Sequence, residues 1–85
     1  MTIVNEPVAV WTEADGTPQR LVWNGRRYRV TDTATQIEPY WGATHVPALA
    51  PVWRFQGSLD DKTSLVFDIR FDHSNGSWQL LRVFD

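Results

Sequence analysis

Asn24-Gly25, set between the runs QRLVW and RRYRV, constrains the fold of this chain more than any other pair of residues. Asn-Gly is the strongest short signal for a two-residue type I′ turn, because both central positions need φ > 0. Such a turn sets the register of the strands around it: Trp23 faces Arg26, Val22 faces Arg27, Leu21 faces Tyr28 and Arg20 faces Arg29. Side chains alternate between the two sides of a strand, so one side of the hairpin collects Leu21, Trp23, Tyr28 and Val30, with Arg26 beside the indole. The other collects Arg20, Arg27 and Arg29 around Val22. The first side predicts a wall of a hydrophobic core; the second is a candidate outer surface.

The remaining chain reads as more strands of the same kind. Residues 7–13 alternate weakly, Val8 and Val10 against Ala9 and Trp11, and lead into Ala14-Asp15-Gly16-Thr17-Pro18, which is turn chemistry for a longer hairpin loop. After Val30 the third strand is expected to run on through the Thr-rich residues 31–35 until Glu38-Pro39 stops it. Residues 39–51 carry three prolines and no useful periodicity, and read as a long ordered loop. Loops of that kind are often functional, which makes Tyr40, Trp41 and His45 surface-site candidates. The alternative is that Tyr40 and Trp41 fold back and cap a barrel end.

Residues 52–56 alternate again, and residues 57–62 form a polar turn around Asp60-Asp61. Residues 64–72 are the cleanest strand, with Leu65, Phe67, Ile69 and Phe71 on one side and Val66, Asp68, Arg70 and Asp72 on the other. A turn at residues 73–76 leads to a last strand over 78–84. Continuous alternation there puts Trp78, Leu80, Arg82 and Phe84 on the face of Phe67, Ile69 and Phe71, and Leu81 and Val83 on the opposite one.

Apolar residues nowhere recur at helical spacing over three turns, so no helix is expected beyond one short turn in the central loop. Six short strands separated by turn signals predict an all-β fold: a six-stranded antiparallel meander curled into a small SH3-like barrel, with an OB-like barrel as the alternative. With 85 residues, 42% of them hydrophobic and 21% charged, residues 1–85 are expected to form a single domain without a largely disordered part. Five Trp, four Phe and two Tyr supply the area that so small a core needs.

Cysteine is absent, which removes disulfides and thiolate metal sites and favours a cytoplasmic protein. No basic leader with a long apolar stretch and no run of about 18 apolar residues is present, so neither export nor a membrane partner is expected. A monomer is the expected state. The net charge of −2 counts against a dedicated DNA-binding protein, yet seven of the eight cationic residues are Arg, and four of them lie between Arg20 and Arg29. One positive face on a negative remainder is a docking surface for an anion.

The Asp15-Gly16-x-Pro18 turn, the Trp23-x-Gly25-Arg26-x-Tyr28-x-Val30 hairpin, the central aromatic loop and the ending Trp78-x-Leu80-x-Arg82-Val83-Phe84-Asp85 resemble, in order over most of the chain, a family of small actinobacterial domains of unknown function. A similar arrangement ends the catalytically inactive polymerase-like proteins of the Y family that serve in translesion repair, where the tail is regarded as an interaction region. The resemblance implies a non-enzymatic β module, in the neighbourhood of DNA repair. The chain departs from the family at Val66-Phe67-Asp68-Ile69, where an aromatic and a basic residue are usual.

No reaction chemistry is legible. The two histidines, His45 and His73, would have to meet with a carboxylate to hold a metal, and the sole local hint, Asp72-His73 near Asp68, has neighbours pointing to opposite faces. There is no nucleophile elbow and no Gly-rich phosphate loop, so neither an enzyme nor a cofactor is expected. Asp60-Asp61 reads as a solvated loop tip, and Asp68, Arg70 and Asp72 as surface ion pairs.

What remains is a candidate binding surface of Arg20, Arg27, Arg29, Tyr40 and Trp41. It would serve as a protein-interaction module, with nucleic-acid binding as the alternative. The third reading makes the arginines edge charges that oppose aggregation and pair with the acidic remainder.

Overall fold

The computed structural model describes residues 1–37, 51–60 and 63–84. They form seven strands: β1 (Thr2–Thr12), β2 (Pro18–Trp23), β3 (Arg26–Val30), β4 (Thr35–Ile37), β5 (Val52–Ser58), β6 (Ser64–Asp72) and β7 (Ser77–Phe84). All pairings are antiparallel, in the order β3-β2-β1-β7-β6-β5-β4, and an additional β3–β5 pairing closes six of the strands into a barrel. This is the small all-β meander expected from the alternating runs. Short β4 continues along the same edge of β5 that β3 begins.

The hairpin register is the one Asn24-Gly25 dictates: Arg20 opposite Arg29, Leu21 opposite Tyr28, Val22 opposite Arg27 and Trp23 opposite Arg26. Asn24 and Gly25 take φ of 53° and 72°, the left-handed pair a type I′ turn requires. The first strand begins earlier than the alternation suggests, because a register shift between Ile3 and Glu6, with Asn5 at φ 53°, interrupts the pattern.

The expected run-on of the third strand is broken. Pairing of β3 with β5 stops after Arg29–Ser58 and Val30–Gly57. Beyond it, Thr31 N–H donates to the Gln56 carbonyl at 2.9 Å, and Gln56 N–H donates to Asp32 Oδ1, also at 2.9 Å. A side chain thereby replaces a ladder carbonyl, and four residues, 31–34, separate the strands before β4 pairs Thr35 with Arg54.

Leu21, Tyr28, Phe55, Phe67, Ile69, Leu80 and Val83 make the buried core, with Val8, Val10, Trp23, Val30, Trp53, Leu65 and Trp78 among those packed on it. Phe67 sits at its centre. Its ring centroid lies 4.9 Å from Tyr28, 5.7 Å from Phe55 and 6.2 Å from Trp23. Trp23, half-buried at the barrel end, donates its indole N–H to Glu6 Oε1 at 2.6 Å, so the one polar atom of the ring is satisfied.

One expectation about faces is overturned. Asp68 pairs with Arg82 but Ile69 pairs with Leu80, so Leu81 is an extra residue in β7, a bulge. A bulge reverses the parity of everything after it. Val83 therefore joins Phe67 and Ile69 in the core, while Arg82 and Phe84 turn to the outside with Asp68.

Candidate functional site

Two groups of polar side chains stand on the outside of the barrel. The first is on the β1–β2–β3 face. Core packing takes Val8 and Val10 inward, which leaves Ala9 and Trp11 outward, and Trp11 stands 52% exposed. Trp11 pairs with Arg20, Arg20 with Arg29, Arg29 with Ser58 and Ser58 with Ser64. One outward row thus crosses five strands: an indole, two guanidinium groups and two hydroxyls. Strands lie about 4.8 Å apart, so the row spans about 19 Å.

A second row, Ala9, Val22 and Arg27, runs beside the first. Trp11, Arg20, Leu21, Val22, Gly25 and Arg27 line an open cleft of about 500 Å³ between the two. The hydroxyl end of the first row is tied together, Ser58 Oγ lying 2.7 Å from Ser64 Oγ and 3.1 Å from Thr31 Oγ1.

Arg20, Arg27 and Arg29 are all exposed, and among the described residues none of them forms an ion pair. The acids closest along the chain are otherwise engaged. Asp15 accepts the Thr17 N–H at 3.0 Å, a bond that holds its carboxyl below the ordinary aspartate range. Asp32 accepts the Gln56 N–H. Among the described residues, the reading in which these arginines pair with the acidic remainder has no contact in support of it.

The second group is on the opposite side, across β5, β6 and β7. Asp68 is 0% exposed and lies in register between Arg54 and Arg82. Arg54 Nε and Nη2 donate to Asp68 Oδ1 and Oδ2 at 2.8 and 2.9 Å, and Arg82 Nε donates to Oδ2 at 2.9 Å. The Arg54 guanidinium also covers the Phe84 ring at 4.8 Å, and its hydrogen bond to Asp68 raises its pKa above the usual arginine value.

Asp68 therefore belongs to a half-buried charge cluster and not to the surface pairs with Arg70 and Asp72 expected from the sequence. Both of its oxygens accept hydrogen bonds from arginine, which suits a structural anchor better than a proton acceptor.

Of the sequence candidates, the structure brings Arg20, Arg27 and Arg29 onto one face. Tyr40, Trp41 and His45 lie outside the described residues. Trp11 is the functional candidate that the sequence reading missed. Its alternation against Val8 and Val10 was visible, but its place beside Arg20 depends on a pairing across the five-residue loop that follows β1.

His73 is exposed and packs edge-on against Phe71 at 4.9 Å, while Asp72 closes its own turn through Ser74 N–H and Asn75 Nδ2. No three His, Asp or Glu side chains gather at a metal-binding distance among the described residues, and none of these residues forms a helix long and apolar enough to cross a membrane. No family model matches the chain, and neither does any curated protein or solved structure.

Proposed function

We propose that this chain is a non-enzymatic interaction module: a small β-barrel that docks a polyanionic partner on the outer face of β1, β2 and β3. The observation that carries the reading is that Arg20, Arg27 and Arg29 flank the exposed Trp11 on one surface with none of the three ion-paired among the described residues. Arginine forks and an exposed indole are what surfaces use to hold carboxylates or phosphates, and the ring closure leaves that face to be read through side chains, not by strand addition. A protein partner is the occupant expected from the sequence, with nucleic acid as the alternative. The likeness of the Trp23–Val30 hairpin and the Trp78–Asp85 ending to the tails of inactive polymerase-like repair proteins is in keeping with a docking role.

Retention on a heparin column at neutral pH tests this directly. A protein of net charge −2 is retained only through a local positive face. The native chain should bind and elute with salt, and the folded triple variant R20E/R27E/R29E should flow through. Flow-through of the native chain, or equal retention of the variant, overturns the proposal.

A further inference from the structure

We infer that the polyanion is single-stranded nucleic acid, laid across the strands along the row Trp11, Arg20, Arg29, Ser58 with a base stacked on Trp11. This rests on the docking reading above and names its partner. Charge complementarity decides for an anion, since the face holds three cations and no described acid contacts them. The remaining chemistry decides which anion.

A protein interface draws its affinity from an apolar, well-packed centre depleted in charge. Here the centre of the face is charged, and its apolar content is one flat ring with Val22 and Ala9 beside it. A phosphate backbone with unpaired bases has the complementary design: regularly spaced anions for the guanidinium groups, and a planar group for the indole. The Ser58, Thr31 and Ser64 hydroxyls extend the track with groups that bond phosphate or sugar oxygens. Duplex DNA keeps its bases stacked inside and has nothing to place on Trp11. With Ser64 included the row spans about 19 Å, which suits about four nucleotides, the lower end of what small barrels engage.

The test is fluorescence anisotropy at about 50 mM salt with labelled oligothymidylate, a duplex of equal length and an acidic peptide of equal charge, backed by the Trp11 indole N–H resonance. The expected result is preferential binding of the single strand, with log affinity falling against log salt at a slope near −2, as three phosphate contacts, from Arg20 and Arg29 on the row and Arg27 beside it, require at about −0.7 each. Trp11→Ala should weaken binding about tenfold, as loss of one stacked base does. Arg29→Ala should weaken it and flatten the slope by about 0.7. Arg70→Ala, which removes the same charge from another strand, should change affinity less than threefold.

Both substituted side chains on the row are exposed, so the variants are expected to fold, and amide spectra check that they do. If the peptide binds as well as the single strand and Trp11→Ala binds as the native chain does, the docking face stands as a charge-only anion site and the inference of a base-stacking, nucleic-acid-selective surface is overturned. Preference for the duplex overturns the stacking geometry and with it the inference. If none of the three binds, both the inference and the docking reading fall.

Discussion

Gly57 on β5 lies directly beneath the ring of Phe67 on β6: a Cβ built on Gly57 comes within 2.7 Å of Phe67 Cε2 and 3.2 Å of Tyr28 Cβ. The glycine has an ordinary strand conformation, so what it supplies is space. Phe67, fully buried, is the ring that links Trp23, Tyr28 and Phe55, and it can occupy the barrel centre because the strand beside it carries no side chain at this level.

Gly57→Ala is therefore an overpacking substitution and should destabilise the barrel by about 1–3 kcal/mol. Urea denaturation measures it. Paired with Phe67→Leu, which shortens the clashing ring, the two costs should be less than additive, whereas additivity would show that the contact is not the cause.

The Arg54–Asp68–Arg82 cluster yields an ordering. Arg54 gives two hydrogen bonds to Asp68 and covers Phe84, and Arg82 gives one, so Arg54→Ala should cost more than Arg82→Ala. The arginine side chains are 42% and 33% exposed, which places each loss at about 1–3 kcal/mol, below that of a fully buried pair. A double-mutant cycle between Arg54 and Asp68 should show coupling; a coupling within error of zero contradicts the geometry.

Gly25→Ala tests the turn. At φ 72° an L-residue meets the left-handed penalty, so about 1–2 kcal/mol of stability should be lost. Because nothing lies within 4 Å of a Cβ there, the loss is conformational, and Gly25→Asn should recover part of it.

Asp15 makes one limb of the acid profile specific. Its pKa is lowered chiefly by the hydrogen bond it accepts from Thr17 N–H. A carboxyl with a folded pKa below its unfolded one adds stability above the unfolded value, about 3.9 for aspartate, and loses it as pH falls through the folded one. The Thr17 amide should report a titration midpoint below that value. Asp15→Asn, which keeps an acceptor and removes the titration, should fold with less pH dependence between about pH 4 and about pH 2. A Thr17 midpoint at or above the ordinary aspartate value would show that the bond does not form in solution.

The outer arginines were legible together with the turn, since a type I′ pair sets the parity of both strands at once. So was the core identity of Leu21, Trp23, Tyr28, Phe67 and Ile69, which alternate without interruption. Alternation alone misplaces the faces of Arg82, Val83 and Phe84 because Leu81 is a bulge: Leu-Leu in a strand looks the same whether or not one residue is skipped by the neighbouring ladder.

Alternation alone makes Asp68 one of three surface charges, with Arg70 and Asp72, for a related reason. Its burial comes from Arg54, 14 positions earlier, and Arg82, 14 positions later, and no local pattern states that both arrive beside it.

What the chain determined by itself was therefore local: the left-handed pair at Asn24-Gly25, the hairpin register, and the period-two alternation that makes a strand two-faced. What only the tertiary structure decided was which strands become neighbours and at what offset. Barrel closure through β3 and β5, the parity after Leu81, and the arrival of Trp11 beside Arg20 all depend on contacts between distant segments. Those contacts are selected by the packing of Phe67 and its partners in one closed volume. The arginine hairpin is written in consecutive residues, while the row it completes is assembled only when β1, β5 and β6 take their places around it.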